Sequence, residues 1–334
     1  MNQHASARVV FGGIALVILL VTARPAWAQA WTPLQGEGTV SVQFQDAFVK
    51  YHQIPTVRLD TGHIRGETVL VDFTYGITDR VAVSVSLPWV ASQYHGPRPH
   101  QLPIDDGSHH PTFQDFRFDV RYNVTRKNVV VTPFMGTILP SHGYEYFAHS
   151  AVGRNVRELQ VGTNWAALLD SVPGLFVQGR CSYGFAERIV DISHNRSNLD
   201  LEAGYFITDD LRMFALGAAQ LTHGGVDLFG GAKTLEILGP LKYPHHDQIA
   251  RENFLNVGVG AGYSLTPSMD VFGSVIHTVA GRNMHALQYS LTVGASWSFV
   301  TRRARARASR SSVAENRSDA QPRVLARCVC QKGK

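Results

Sequence analysis

Four charged residues spaced two apart, Asp115, Arg117, Asp119 and Arg121, carry the densest chemistry in this chain. Residues two apart on an extended strand share one face, so carboxylates and guanidinium groups would meet there at close range. The same frame in other segments adds Asp72, Glu158, Arg180, Asp200 and Glu202, with Arg212 and Asp270 near one end. Such a face either pairs with itself and closes a space, or lines a narrow wet path that sorts solutes by charge. Both outcomes need an element that turns every second side chain toward a common interior.

Other reactive side chains point to less. Nine of the fifteen histidines (His95, His100, His109, His110, His142, His149, His223, His245, His246) fall in or beside long polar stretches. None has the spacing of a helical zinc motif, so they are expected to be solvated and no metal is expected. Cys181 has no nearby partner, and Cys328 and Cys330 are too close together for an easy bridge. Ser141 beside His142 and Ser197 near His194 come nearest to a nucleophile with its base. Adjacent strand residues face opposite ways, so no catalytic residue, no enzymatic activity and no cofactor are expected.

The presenting elements are strands. From Leu287 to Phe299 apolar and polar residues alternate: Leu287, Tyr289, Leu291, Val293, Ala295, Trp297 and Phe299 on one side, Gln288, Ser290, Thr292, Gly294, Ser296 and Ser298 on the other. A helix would spread both sets around its circumference. Similar alternation centres on Val71, Val120, Val161, Leu201 and Val259. Six further strands fit near 39–50, 80–91, 128–139, 175–187, 210–221 and 268–279. Those near 210–221 and 268–279 alternate poorly, and Asp46 and His277 fall in frames meant for the apolar side.

Charged residues are 17 % of the chain, and apolar residues are dispersed rather than clustered. Tyr75, Tyr122, Trp165, Tyr205, Tyr263 and Trp297 each lie two residues before the last outward apolar position of a strand. Amphipathic rings at one common height suit a lipid headgroup layer. Short turns at 78–79, 125–127, 170–174, 208–209 and 267–268 alternate with longer loops near 52–65, 92–113, 140–155, 188–196 and 222–251. Only 280–284 breaks this rhythm. The expected fold is all-β, an up-and-down antiparallel transmembrane β-barrel of about twelve strands, with the charged frame inside.

The termini set compartment and charge. Arg8, the apolar run Val9–Val21 and the Ala26–Ala28 small-x-small pattern read as a cleaved signal peptide over 1–28. The barrel would occupy 29–300, with Phe299 as the signal read by the barrel-assembly machinery, and a disordered basic tail 301–334 would follow. Of 31 Lys and Arg, ten lie in that tail and two in the leader, against two of 26 Asp and Glu in the tail. The remainder is 19 basic against 24 acidic, so the basic balance belongs to the tail and implies no nucleic-acid partner.

Tyr75–Arg80 (YGITDR) with Val81–Trp89 (VAVSVSLPW) resembles a turn and strand of the outer-membrane family named for the MetA pathway of phenol degradation. Asp115–Tyr122 (DFRFDVRY), Leu139–Gly143 (LPSHG) and the closing YSLTVGASWSF are similar to its later strands. An exported barrel with this aromatic ring is expected in a Gram-negative outer membrane with lipid around it, and the resemblance implies passage of small, often aromatic or apolar molecules. The expectation is a channel or transporter with a narrow or gated lumen whose acidic excess disfavours anions. The alternative is a closed structural or surface-interaction barrel acting through loops 92–113 and 222–251.

Overall fold

The computed structural model describes residues 30–126 and 129–305. Its spanning strands are β1 (Glu37–Gln53), β2 (His63–Gly76), β3 (Val81–His95), β4 (Asp115–Tyr122), β5 (Val129–Pro140) and β6 (Glu158–Leu168), followed by β7 (Leu175–Ala186), β8 (His194–Phe206), β9 (Leu211–Gly224), β10 (Asn253–Thr266), β11 (Met269–Arg282) and β12 (Met284–Val300). Each pairs antiparallel with its sequence neighbours, and β12 returns to β1 from Glu37↔Val300 to Gln53↔Met284. The sheet is therefore a closed twelve-stranded barrel without an edge, the strand arrangement that satisfies its own backbone in lipid. Short pairs at Arg58–Leu59, His110–Phe113 and Thr125–Arg126 extend it at the rims.

Side-chain alternation sorts the two faces. Val42, Phe44, Val120, Met135, Leu159, Val259 and Leu291 are exposed on the outside, while Ser41, Gln43, Asp72, Ser84, Asn164 and Thr292 are buried inside. The weak alternation of β9 and β11 has a packing cause. Phe214, Leu216 and Ile276 form an apolar cluster on the inner wall, and Phe272 beside them is 1 % exposed. Their room comes from glycines on adjacent strands: a Cβ at Gly260 would meet the Phe214 ring at 2.4 Å, and one at Gly294 would meet Phe272 at 2.8 Å.

Two outward polar residues also find local reasons. Asp46 accepts two hydrogen bonds from Arg65 on β2, at 2.8 and 3.0 Å. His277 Nδ1 donates to the Gln288 carbonyl at 2.7 Å, beside a β-bulge in β12. That bulge interrupts the alternation expected from Leu287 onward: Leu287 packs against buried Val49, Ile64 and Tyr94. Beyond it the pattern continues to Phe299, whose ring overlies Gly38 and stacks with Phe73 at 6.2 Å.

Connections are short at one end and long at the other, with a single residue, Asn283, between β11 and β12. At the short-turn end Tyr122, Tyr205, Tyr263 and Trp297 are exposed, and Tyr75 and Trp165 are half-buried. Trp165 lies across Gly179 of β7, where a Cβ would come within 2.6 Å of the indole. The segment before β1 enters the same end. Ala30 is fully buried with Val130 and Ala166, and its carbonyl accepts from Thr132 Oγ1 at 2.7 Å.

Residues 1–28, with the expected leader, and the tail from 306 onward, with Cys328 and Cys330, lie outside the described residues. Residues 302–305 make a helical turn, and Thr301 N–H donates to Gly36 O at 2.9 Å. Cys181 is exposed on the outer face.

Candidate functional site

The closed wall surrounds a cavity of about 610 Å³. Inward positions of five strands, β2, β4, β6, β7 and β8, supply most of its charges. Of the nine residues in the charged frame, Asp72, Asp115, Arg117, Asp119, Arg121, Glu158, Arg180 and Asp200 line it. Glu202 does not: it is buried nearer the short-turn end, where Gln178 Nε2 donates to it at 2.9 Å. Arg154 and Arg196 complete the lining, giving five carboxylates and five guanidinium groups. The expected acidic excess is thus absent from this chamber. Arg154 is contributed by a loop, outside the reach of any strand frame.

Several of these charges are paired. Arg121 Nε lies 2.6 Å from Asp119 Oδ1, and Arg180 Nη1 lies 3.6 Å from Asp119 Oδ2. The Arg180 guanidinium also sits 3.5 Å over the Phe134 ring. Arg196 Nε is 2.8 Å from Glu158 Oε2, an ion pair without an aligned hydrogen bond. Asp72 accepts from Gln43 Nε2 at 2.9 Å and from Ser86 Oγ. Arg117 and Asp200 face the same space, and among the described residues neither has a direct ion-pair partner.

The loop of residues 141–157 turns into the barrel rather than out to solvent. Tyr144 donates to the Asp115 carboxylate, and burial pushes its own phenol above the usual range. Gln114 Nε2 donates to Val152 O, and Arg154 pairs with Glu252 at 3.1 Å. Gly153 and Arg154 line both the chamber and a second cavity, of about 590 Å³, at the long-loop end. This loop therefore forms the partition between the two.

The second cavity gathers histidines that sequence spacing leaves scattered. His52, His100, His149, His246 and His285 all line it, with Asp247. Ring centroids are 3.7 Å apart for His100 and His149, 4.2 Å for His52 and His285, and 4.9 Å for His52 and His149. The expectation that loop histidines are solvated is wrong for His149 and His246, which are buried, and for His100, which is half-buried. Burial holds His149 down to about 4, helped by the neighbouring His100 and His285, and burial likewise lowers His100. For Asp247 burial acts upward, but the surrounding histidines outweigh it and hold the carboxyl below its ordinary value.

Loop residues fix this arrangement. Asp105 accepts backbone N–H bonds from His100 (2.8 Å), His149 (3.1 Å) and Ser150 (2.9 Å), joining two loops. Burial alone would raise its carboxyl, yet these donors hold it below the usual range. A helix α1 (Gly231–Lys242), one 3-10 turn and the short α2 (His246–Ile249) carry His246 and Asp247 over the opening. Gln248 Nε2 then donates to Arg154 O at 2.7 Å.

His52, His285 and Asp247 escape sequence reasoning. Bulges at Val49–Tyr51 of β1 and at Gln288 of β12 change the strand phase beside the two histidines, before His52 and after His285. A strict period of two cannot follow such a change. His109 and His110 stay outside the cluster, and the His95 ring lies 5.4 Å from that of His63, tilted against it. His142 and His223 make serine contacts on exposed surface: Ser141 Oγ with His142 Nδ1, and Ser197 Oγ with His223 Nε2, both at 2.8 Å. Among the described residues no carboxylate orients either imidazole, so neither pair has the third member of a catalytic triad.

No protein-family model matches the chain, and no curated protein matches it in sequence. Among solved structures it is similar in fold to an outer membrane channel from Pseudomonas putida F1, with TM-score 0.64 and 11% identity over 83% of this chain and 100% of that one. The NanC porin (TM-score 0.46, 11% identity, 77% and 98% covered) is a more distant likeness. So is the translocator domain of the autotransporter NalP from Neisseria meningitidis (TM-score 0.45, 13% identity, 88% and 97% covered).

Proposed function

We propose that this chain is an outer-membrane channel through which small molecules pass by way of the charged chamber. The single observation that carries the reading is that chamber, about 610 Å³ of space inside a closed barrel, lined by five acids and five arginines. A barrel that served only as a scaffold would gain by filling this volume with apolar side chains, as it does around Phe214 and Phe272. Here Arg117 and Asp200 offer a cation and an anion to whatever enters. A balanced lining favours small zwitterionic or polar aromatic solutes over a simple cation or anion. The motif resemblance to the phenol-degradation outer-membrane family supports an aromatic permeant.

The rest of the reading follows from lipid. The apolar outer face contacts acyl chains, and the Tyr75–Trp297 set of rings marks the headgroup level on the periplasmic side. The long loops and the histidine cavity then face outward from the cell. Export depends on cleavage near Ala28, and Phe299 is the residue that the assembly machinery reads.

Swelling of liposomes that contain the folded protein tests the function. Zwitterionic amino acids, aromatic ones included, are expected to enter faster than into protein-free liposomes. Rates no faster than those of protein-free liposomes, for every solute, would contradict the channel reading.

A further inference from the structure

We propose that the long-loop cavity is a binding site for transition-metal dications of the zinc class, holding one ion on His52, His149 and His285 and a second on His100, His246 and Asp247. In each trio the candidate donor atoms all lie within 4.8 Å of one another. Tetrahedral donors around zinc stand roughly 3.3 Å apart, given metal–nitrogen bonds of about 2.0–2.1 Å. Small rotations of side chains would close that difference. Imidazole donors select zinc, copper or nickel over calcium or magnesium, which take oxygen ligands.

The hydrogen-bonding pattern provides independent support. His149 Nε2 donates to Arg98 O at 2.9 Å, which leaves Nδ1 with the lone pair. That Nδ1 is buried and, among the described residues, has no partner. His246 Nδ1 donates to Tyr243 O at 2.8 Å, leaving Nε2 as the lone-pair nitrogen, 3.2 Å from Asp247 Oδ1. A carbonyl that takes the second imidazole proton is the usual outer partner of a metal-bound histidine. His52 Nε2 and His100 Nδ1 are likewise buried without a partner, and His52 and His149 are each only 5% exposed. Buried nitrogens without partners are costly and uncommon, and in one cavity they point to a common ligand.

The ligands come from β1, β12, α2 and two loops, so bound metal would tie the loops and short helix of the entrance to the barrel wall. This inference stands apart from the channel reading, since it concerns binding alone. The test is titration of the chelator-treated, full-length folded protein with Zn²⁺ by calorimetry. Two equivalents are expected, with His52→Ala/His285→Ala removing one and His246→Ala weakening the other by tenfold or more. His109→Ala/His110→Ala should leave both unchanged. No saturable uptake, or uptake lost only in the His109/His110 variant, would overturn the proposal. Co²⁺ added to the unsubstituted protein gives a readout that needs no variant: tetrahedral visible absorption supports the sites, and a purely octahedral spectrum contradicts them.

Discussion

The rings of His100 and His149 stack with centroids 3.7 Å apart, although they belong to different loops. One carboxylate, Asp105, sets this relationship by accepting the backbone N–H of both residues. Two long loops thereby become one lid, and the cavity beneath it owes its shape to a buried acid rather than to any histidine.

Asp105→Ala should loosen that lid. The variant leaves several buried N–H groups without an acceptor, a cost of about 1–3 kcal/mol. Hydrogen exchange of residues 96–114 and 141–157 should accelerate while the strands remain protected. Unchanged exchange in both loops would show that Asp105 does not join them.

Among the described residues, Arg117 is the cation of the chamber left without an ion-pair partner. Arg117→Glu turns a balanced lining into one with an excess of carboxylates, so the permeability ratio should move toward cations. Reversal potentials across a salt gradient read this directly. An unshifted reversal potential would place Arg117 outside the permeation path.

Asp227 accepts from Arg282 (2.9 and 2.6 Å) and from Asn283 (2.9 Å), and these bonds hold its carboxyl below its ordinary value of 3.8. A depressed acid contributes stability that is present above its unfolded value and is lost as pH falls through the folded one. The docking of residues 225–252 should therefore weaken in acid below that value, and Asp227→Asn should show weaker docking already at pH 7. Limited proteolysis in that loop at pH 7 and pH 3 checks both statements. Equal cleavage of the two proteins at pH 7 would remove Asp227 from the account.

If metal ties the lid to β1 and β12, Zn²⁺ on the long-loop side should reduce current and a chelator should restore it. His149→Ala should make the current insensitive to Zn²⁺. Current that responds identically in both proteins would separate metal binding from gating.

The barrel was legible in sequence because a membrane wall enforces a period of two on every strand. The charged frame followed from the same rule, down to Arg180 and Asp200. What the rule could not reach were places where the backbone changes phase or leaves the strand. Bulges turn His52 and His285 into the cavity, the inward fold of 141–157 delivers Arg154 and His149, and a helical lid brings His246 and Asp247. The inward Phe214 and Phe272 blurred their strands because the lumen is packed there with apolar side chains.

Single-channel recording of the folded protein in a planar bilayer tests the central claim most directly. A path through the balanced chamber predicts small, discrete, salt-dependent steps with weak selectivity between potassium and chloride. A correctly folded barrel that inserts and stays silent, with and without chelator, would mean that its own ion pairs close the lumen.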